Sequence, residues 1–200
     1  MKKKYNQVYQ FKITLCGIRP PIWRRIQVPE TYSFWDLHVA IQDAMGWWDS
    51  HLHLFEIFNP RSGSKNEIGI PAKDLGYDNE TLAGWKYYIA DYFNMENKSC
   101  NYFYDFGDDW QHIILLEKII PCENGIKYPT CIKGKRACPP EDCGGVWGYM
   151  DLLEILNDPE HDEYEDMLEW AGGKIDPERF NPKEVHFDNP TTRRKNSMLF

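Results

Sequence analysis

The stretch Cys131–Tyr149, CIKGKRACPPEDCGGVWGY, constrains the fold more than any other part of the chain. It combines three cysteines, two prolines, four glycines and a Glu-Asp pair. Proline fixes φ and removes a backbone donor, whereas glycine permits positive φ, so such a mixture is incompatible with a regular helix or strand. The stretch, called the cysteine segment below, therefore predicts a long ordered loop with a specified path.

A second feature is an aromatic and acidic hairpin predicted at Tyr102–His112. Gly107-Asp108 is a strong reversal signal, and it lies between two runs of β-prone residues. The second run is apolar on both faces, which is typical of a strand inside a sheet. We expect the cysteine segment to fold over this hairpin, and we expect any function to be located where the two meet.

The remaining pattern predicts an α+β fold with a mixed, largely antiparallel sheet, packed helices and the long ordered Cys/Pro/Gly loop. Residues 9–15 alternate as a strand, and residues 22–28 form its partner with Trp23, Arg24 and Arg25 facing outward or toward a neighbour. Ser33 and Asp36 are typical of a helix start, and that helix places His38 on the surface. Residues 51–57 predict another strand, and short helices follow Met150. Residues 59–101 give no clear signal.

Composition limits the environment and the classes of partner. The formal charge is −8, which argues against non-specific binding to nucleic acids or anionic membranes. No segment approaches the roughly 20 apolar residues of a membrane span, and the first lysines precede no signal-peptide core. We expect one cytoplasmic domain over residues 1–200, with flexible tails at 1–5 and 190–200. Its cysteines are then reduced thiols or metal ligands.

Metal binding is the first chemical hypothesis. A loop rich in glycine and proline can gather soft ligands for zinc. The gaps of six and four residues between the cysteines depart from the usual knuckle spacing, so buried or merely reduced thiols are the alternative. The two histidines alternate on one strand, where they could share a metal or form a polar edge against tryptophan rings. The candidate ligands are Cys131, Cys138, Cys143, His51 and His53.

Acidic residues on the hairpin and on the cysteine segment give a second hypothesis. If the two segments meet, their carboxylates could hold Mg²⁺ or Mn²⁺ for hydrolysis or phosphoryl transfer, or a histidine could act as a base oriented by a carboxylate. The alternative is structural, because aspartate in turns commonly bonds its own backbone. The candidate catalytic residues are Asp105, Asp108, His112 and Glu141, with Asp109 and Asp142 beside them.

A third hypothesis is recognition without chemistry, with a protein or peptide as the partner. Aromatic side chains near glycine turns make binding surfaces, although they also build cores. The common nucleotide-binding, hydrolase-elbow and zincin motifs are absent from the sequence. The candidate binding residues are Trp47, Trp110, Trp147 and Tyr104, and Trp48 and Tyr102 belong to the same aromatic set.

Four ordered motifs resemble the plasmid pRiA4b Orf-3-like family: IRPPIWRRIQVP, GWWDSHLHLFEI, YDFGDDWQH and YPTCIKGKRACPPEDCGGVWGY. The resemblance covers residues 9–58 and 102–185. It implies a protein similar to passengers of plasmids and insertion elements, also found on chromosomes, with no established reaction. We therefore expect an accessory or binding module; the alternative is a metal-dependent hydrolase or nuclease. The adjacent Asp108 and Asp109 and the acidic charge disfavour a recombinase. The resemblance singles out, without roles, Trp23, Arg24, Trp47, His51, His53, Asp105, Gly107, Asp108, Trp110, His112, Cys131, Cys138, Pro139, Pro140, Glu141, Asp142, Cys143, Gly144 and Trp147.

Overall fold

The structure, a computed structural model, describes residues 5–71 and 81–196. Within these ranges the strands form one eight-stranded sheet in the order β5-β4-β3-β6-β7-β1-β2-β8. Neighbouring strands are antiparallel except for the parallel pair β4 and β5. The predicted α+β class is confirmed. The strands are β1 (Gln7–Leu15), β2 (Trp23–Pro29), β3 (His53–Asn59), β4 (Ser64–Gly69), β5 (Leu82–Ala83), β6 (Ser99–Tyr104), β7 (Trp110–Pro121) and β8 (Thr130–Lys135).

Four α-helices and three short 3-10 turns complete the described part of the chain. The 3-10 turns Gly84–Lys86 and Ile89–Asp91 and the strands β4 and β5 occupy the stretch that the sequence left undecided. No helix within residues 5–71 and 81–196 has the length and apolar character needed to cross a bilayer. The helices are α1 (Phe34–Met45), α2 (Gly145–Ile155), α3 (Tyr164–Trp170) and α4 (Pro190–Asn196).

Helix α1 covers one face of the sheet, as its capping residues and apolar stripe predict. The Ser33 hydroxyl accepts from the Asp36 amide at 3.2 Å, and the Ser33 amide donates to Asp36 Oδ2 at 2.9 Å. Gly46, at φ 96°, ends the helix in the left-handed conformation that glycine adopts without strain. Two aligned rows of side chains lie on the covered face of β3, β6 and β7. They are His53–Tyr104–Trp110 and Phe55–Tyr102–His112.

The opposite face of the sheet is open to solvent. β7 lies inside the sheet, between β6 and β1, as predicted. However, its residues Ile113 and Leu115 are exposed, while Ile114 and Leu116 are fully buried. The apolar character of β7 on both faces therefore identified its central position correctly, although only one of its faces is covered.

Helix α4 corrects two predictions. The segment predicted as a flexible tail is helical from Pro190 to Asn196, and the Trp35 indole donates to the Pro190 carbonyl at 2.9 Å. Arg193 of α4 pairs with Asp43 of α1 at 2.6 Å. The prediction that His38 lies on the surface is wrong, because its ring faces the sheet, where it stacks on His53 of β3 and lies 2.8 Å from Tyr102 Oη of β6. Arg193 of α4 lies beside Asp49, which is bonded to the other nitrogen of this ring. The other tail positions, residues 1–4 and 197–200, lie outside the described residues.

Arg24 also differs from its predicted outward position. Its side chain shares the buried face of β2 with Ile22 and Ile26, as the alternation of the strand requires. The guanidinium donates to the carbonyls of Ala44 at 2.8 Å and Lys135 at 3.1 Å, and it stacks over the Phe180 ring at 3.8 Å. Carbonyl oxygens and an aromatic face therefore replace water around this buried cation.

The cysteine segment is more regular than predicted. Its first residues belong to β8, and α2 begins at Gly145 rather than at Met150, so the irregular part shortens to residues 136–144. Trp170 of α3 is 47% exposed, whereas Tyr164 of the same helix is buried. A single turn-rich stretch between a strand and a helix is therefore what lies over the hairpin.

Candidate functional site

The irregular part of the cysteine segment packs directly against the hairpin, as predicted. The Gly144 amide donates to Asp108 Oδ2 at 3.2 Å. Gly145 approaches the Asp108 carbonyl so closely that a Cβ atom would collide with it, which explains the need for glycine there. Tyr104 donates a hydrogen bond to Glu141 Oε1, and Glu141 Oε2 accepts from the Trp48 amide at 3.0 Å. A third segment, residues 47–53, thus completes the junction.

Two clusters of potential ligands lie in this region. One takes a residue from each of the three segments, and the other joins residues 47–53 to helix α1. The first, called the open cluster, consists of His51, Asp105 and Asp142. His51 Nε2 lies 3.0 Å from Asp142 Oδ1 and 3.5 Å from Asp105 Oδ2. The His51 side chain is 30% exposed, so water and small ligands reach this cluster. An imidazole with two carboxylates is a donor set that divalent metal ions accept.

The second cluster, called the closed cluster, consists of His38, Asp49 and His53, and it is enclosed by protein. His38 Nε2 lies 2.6 Å from Asp49 Oδ1. The two imidazole rings stack with centroids 3.5 Å apart and an interplanar angle of 9°. Exposed fractions of the three side chains do not exceed a few per cent. One ligand atom from each side chain lies within 4.8 Å of the other two.

A chain of hydrogen bonds fixes the proton of His38. The Gln42 amide donates to Tyr102 Oη at 2.9 Å, and Tyr102 Oη lies 2.8 Å from His38 Nδ1. The phenol therefore donates to Nδ1, and the proton of the neutral ring is on Nε2, from which it is donated to Asp49. Burial lowers the pKa of His38 and of His53 well below the ordinary value, so both rings are neutral. Burial also raises the pKa of Asp49 to about 6, against the opposing effects of His53 and Arg193.

The aspartate residues of both clusters have backbone conformations in the left-handed region. Asp49, Asp105 and Asp142 have φ values of 63°, 55° and 59°. Among the described residues, the only other non-glycine positions with positive φ are Asp109 and Arg136. Aspartate tolerates this region better than most residues, but at a cost that surrounding contacts must offset. Contacts of the folded protein therefore hold the backbone at both clusters in a conformation that the residues alone would rarely adopt.

The predicted catalytic residues lie in different environments in the structure. Asp105 joins the open cluster, whereas Asp108 and Glu141 hold the junction together through the bonds given above. His112 belongs to neither cluster and lies against Trp47 and Tyr102, with ring centroids 5.4 and 5.3 Å away. Burial lowers the pKa of His112 to about 4. The proposed pairing of His112 with a carboxylate does not occur within the described ranges, because the strand pairing points this side chain into the core.

The predicted metal ligands are also divided. In the part of the chain that the structure describes, no group of three or more potential ligands contains a cysteine. Cys131 lies on β8 and donates to the Lys133 carbonyl, while Cys143 donates to the Gly145 carbonyl. Burial raises the pKa of Cys138 and of Cys143 to about 12, so both are neutral thiols. His51 and His53 fall in different clusters, although they are two residues apart.

Three of the four aromatic residues predicted to bind a partner lie in the core. Tyr104 and Trp110 are fully buried, and Trp47 stacks on Tyr104 with centroids 5.1 Å apart while its indole donates to the Pro139 carbonyl. Trp147 is 77% exposed. Trp48, which belongs to the aromatic set considered for recognition, and Phe106, which does not, are 85% and 54% exposed. Trp48, Phe106 and Trp147 come one from each of the three segments of the junction, and they are together called the aromatic surface below.

Sequence reasoning missed several residues of the closed cluster and its surroundings. Asp49 follows two tryptophans in a turn-like stretch, and Tyr102 was considered as a strand residue and as part of an aromatic binding set, but not as a partner of His38. A usable signal was available: one turn of helix separates His38 from Gln42, so two polar side chains share a helix face with a tryptophan at position 35. Polar residues beside a large apolar one on a helix are candidates for a buried hydrogen-bonded network.

Comparison with known proteins agrees with these motifs. The family model described as plasmid pRiA4b ORF-3-like protein matches residues 7–184. The uncharacterized protein y4hQ of Sinorhizobium fredii is 36% identical over 165 residues, which are 82% of this chain and 81% of the relative. The crystal structure of MM3350 from Methanosarcina mazei Go1, a protein of unknown function, is similar with a TM-score of 0.84 and 50% identity, covering 92% of this chain and 100% of that one. The chain belongs to the plasmid pRiA4b ORF-3-like family.

Proposed function

We propose that the protein is a cytoplasmic accessory module that binds a basic segment of a partner protein at the aromatic surface. The observation that carries the proposal is the exposure of Trp48 and Trp147, 85% and 77%. The Trp48 amide is bonded to Glu141 of the turn-rich loop, and Trp147 lies in the helix that directly follows this loop. Large indole groups left in water are unusual on a monomer, and tryptophan is the residue most enriched among the hot spots of protein interfaces.

The charge of the junction favours a basic partner. The carboxylates of Asp105, Asp108, Asp109, Glu141 and Asp142 belong to the hairpin turn and the loop that carry the aromatic surface. The whole chain has a formal charge of −8, which extends the attraction beyond the contact itself. Indole faces also bind ammonium and guanidinium groups. The same charge opposes non-specific nucleic-acid binding and attachment to anionic membranes, so we include neither among the partners.

The junction is preorganised, which supports a binding role. The Trp48 amide is fixed by Glu141, the loop is fixed by Asp108, and Glu141 itself is held by Tyr104. A rigid surface loses little conformational entropy when a partner docks, so more of the contact energy is available for affinity. The plasmid origin in the family's name is consistent with an accessory role on mobile elements, and we include that role in the proposal.

Fluorescence anisotropy with labelled peptides tests the proposal. The probes are three peptides of equal length in which leucine alternates with arginine, with serine or with glutamate. We expect the arginine peptide alone to bind, and we expect Trp48→Ala and Trp147→Ala each to weaken binding about tenfold. Trp170→Ala is the matched control, since Trp170 is also exposed but lies on α3. Equal binding of the serine peptide, or equal losses in all three variants, would contradict the proposal.

A second candidate function is metal-dependent hydrolysis at the open cluster. It is favoured by the convergence of His51, Asp105 and Asp142 in a position that solvent reaches. A divalent ion held there would polarise a substrate oxygen or activate a water molecule. The test measures cleavage of bis(p-nitrophenyl) phosphate with MnCl₂, MgCl₂ or EDTA. Metal-dependent turnover that is lost in Asp105→Asn and His51→Gln supports the enzyme, and no turnover above the buffer rate removes this candidate.

A further inference from the structure

We propose that the closed cluster of His38, Asp49 and His53 binds a divalent transition-metal ion. This site goes beyond the proposed function, because it lies behind the junction and does not contribute to the aromatic surface. It also differs from the predicted ligand set, of which it retains only His53. Two imidazoles and one carboxylate are a donor set typical of zinc and of non-haem iron.

The strongest observation is the state of His53. Its side chain is only 2% exposed, yet neither Nδ1 nor Nε2 has a hydrogen-bond partner among the described residues. A neutral imidazole has one donor and one acceptor, and enclosing both without partners costs on the order of 1–3 kcal/mol for each group. Buried polar groups are paired in the great majority of cases. Both ring nitrogens of His112 are also unpaired among the described residues, but only His53 has a second imidazole and a carboxylate within 4.8 Å of one of its nitrogens. A metal ion beside His38 and Asp49 supplies the missing partner.

The surrounding hydrogen bonds can adapt to the ion. Binding at His38 Nε2 requires its proton to move to Nδ1, from which the ring then donates to Tyr102 Oη, 2.8 Å away. The Tyr102 hydroxyl proton must then turn to another acceptor. Gln42 provides one, because its Oε1 is buried and has no partner within the described residues, and rotation of the amide brings Oε1 to Tyr102. Ring N–H donation to an outer partner is the arrangement that normally orients metal-bound histidines.

Binding also requires a small movement of the rings. The ligand atoms lie within 4.8 Å of one another, whereas a tetrahedral ion with bonds of about 2.1 Å brings its ligands to about 3.4 Å. The nitrogen lone pairs of two stacked imidazoles lie in two parallel planes and do not meet at one point. At least one ring must therefore tilt before both can bind the same ion. No hydrogen bond among the described residues opposes a tilt of His53, so the tilt requires only that the packed rings of Trp35 and Phe55 adjust.

The local charge accommodates a cation despite a nearby arginine. Arg193 Nη1 lies 3.9 Å from Asp49 Oδ2 and opposes a second positive charge. However, Arg193 Nη2 is paired with Asp43 at 2.6 Å and with Asp188 at 2.7 Å. One guanidinium therefore faces three carboxylates. The remaining negative charge stabilises the ion, and because the cluster is closed, the ion enters during folding and has a structural role.

Elemental analysis and spectroscopy of the whole chain test this site. The protein is purified without added metal, and a second sample is unfolded in guanidinium with EDTA and refolded with ZnSO₄, CoCl₂ or anaerobic Fe²⁺. We expect about one equivalent of metal per chain and a higher melting temperature than in the metal-free sample. The Co²⁺ form should show d–d absorption without thiolate charge-transfer bands. Comparison of the zinc and iron samples identifies which ion binds.

Two variants and one matched control locate the ion. His53→Gln and Asp49→Asn should lose the metal, whereas His51→Gln should retain it because His51 belongs to the open cluster. Retention in the first two variants with loss in His51→Gln would overturn the proposal. If the closed-cluster variants do not fold, the wild-type protein alone tests the proposal. Thiolate bands in its Co²⁺ form would overturn the proposal, and so would the absence of bound metal from both the purified and the refolded sample.

Discussion

His38 and His53 stack face to face with their ring centroids 3.5 Å apart, but only His38 has hydrogen-bond partners among the described residues. Their contributions to the metal-free protein therefore differ. In EDTA, His53→Phe should leave the free energy of unfolding unchanged or raise it by about 1 kcal/mol, because it keeps the stacked ring and removes two unpaired nitrogens. His38→Phe should lower that free energy by about 2–4 kcal/mol, because Asp49 and Tyr102 lose their partner.

Urea unfolding of both variants in EDTA measures these two free energies. The comparison is matched, since each variant replaces an enclosed imidazole with the same phenyl ring. Equal destabilisation of the two variants would show that the buried nitrogens of His53 are satisfied in the folded protein.

The hydrogen bond from Tyr104 to Glu141 joins the hairpin to the cysteine segment. Tyr104→Phe removes this bond and also the acceptor of the Ser50 amide, so we expect a loss of about 1–3 kcal/mol in the free energy of unfolding. Glu141→Gln should cost less, because Glu141 is only partly buried. A double-mutant cycle of the two substitutions should give a coupling energy of about 0.5–2 kcal/mol. Additive effects would mean that the two side chains do not interact in solution.

Gly145 is the closest backbone contact between the cysteine segment and the hairpin. Gly145→Ala places a methyl group against the Asp108 carbonyl at a φ of 69°, and we expect it to lower stability by roughly 3 kcal/mol or more. Gly172→Ala is the control, because Gly172 has a similar φ of 71° but no atom within 4 Å of the position that a Cβ would take. The control isolates the cost of the left-handed conformation, about 1–2 kcal/mol. Similar melting temperatures of the two variants would contradict the tight packing of Gly145.

Local sequence signals were sufficient to predict the elements that depend on contacts between residues close together in the chain. The Ser33 capping box, the Gly46 helix end and the Gly107-Asp108 reversal all appear where the residue types require them. The contact between hairpin and cysteine segment was also predicted, and there the Asp108 carboxylate pairs with the Gly144 amide, a backbone donor of the loop.

The closed cluster could not be predicted by the same route. Periodicity assigns a helix one apolar face, and it places His38 and Gln42 outside that face. Their burial depends on strands β3 and β6, because His38 stacks on His53 and both His38 and Gln42 bond to Tyr102, which is about 60 residues further along the chain. Arg24 was wrongly predicted to face outward because its charge was given more weight than the alternation of the strand. In the structure, carbonyl oxygens and the Phe180 ring surround its buried guanidinium.

The pair between Arg25 and Glu117 on the open face of the sheet gives a pH-dependent prediction. Arg25 donates twice to Glu117, at 2.6 and 2.7 Å, and Gln10 donates at 2.8 Å. These bonds, led by those from Arg25, hold the pKa of Glu117 below its unfolded value of 4.5. The stabilisation is therefore fully present above pH 4.5 and is lost as the pH falls through the depressed pKa of the folded protein. Glu117→Gln should cost about 1 kcal/mol at neutral pH, as expected for a partly exposed bidentate pair.

Urea unfolding of wild type and Glu117→Gln across the acid range measures this effect. The difference between their free energies of unfolding should be constant near neutrality, decrease below pH 4.5 and vanish once Glu117 is protonated in the folded state. Glu67→Gln is a suitable control, since it makes the same substitution at an exposed position of another strand, β4. Only the charged form of Glu117 accepts both bonds from Arg25 at full strength. A difference in the free energy of unfolding that stays constant down to strongly acidic pH would therefore mean that packing, and not the charge of Glu117, stabilises this part of the sheet.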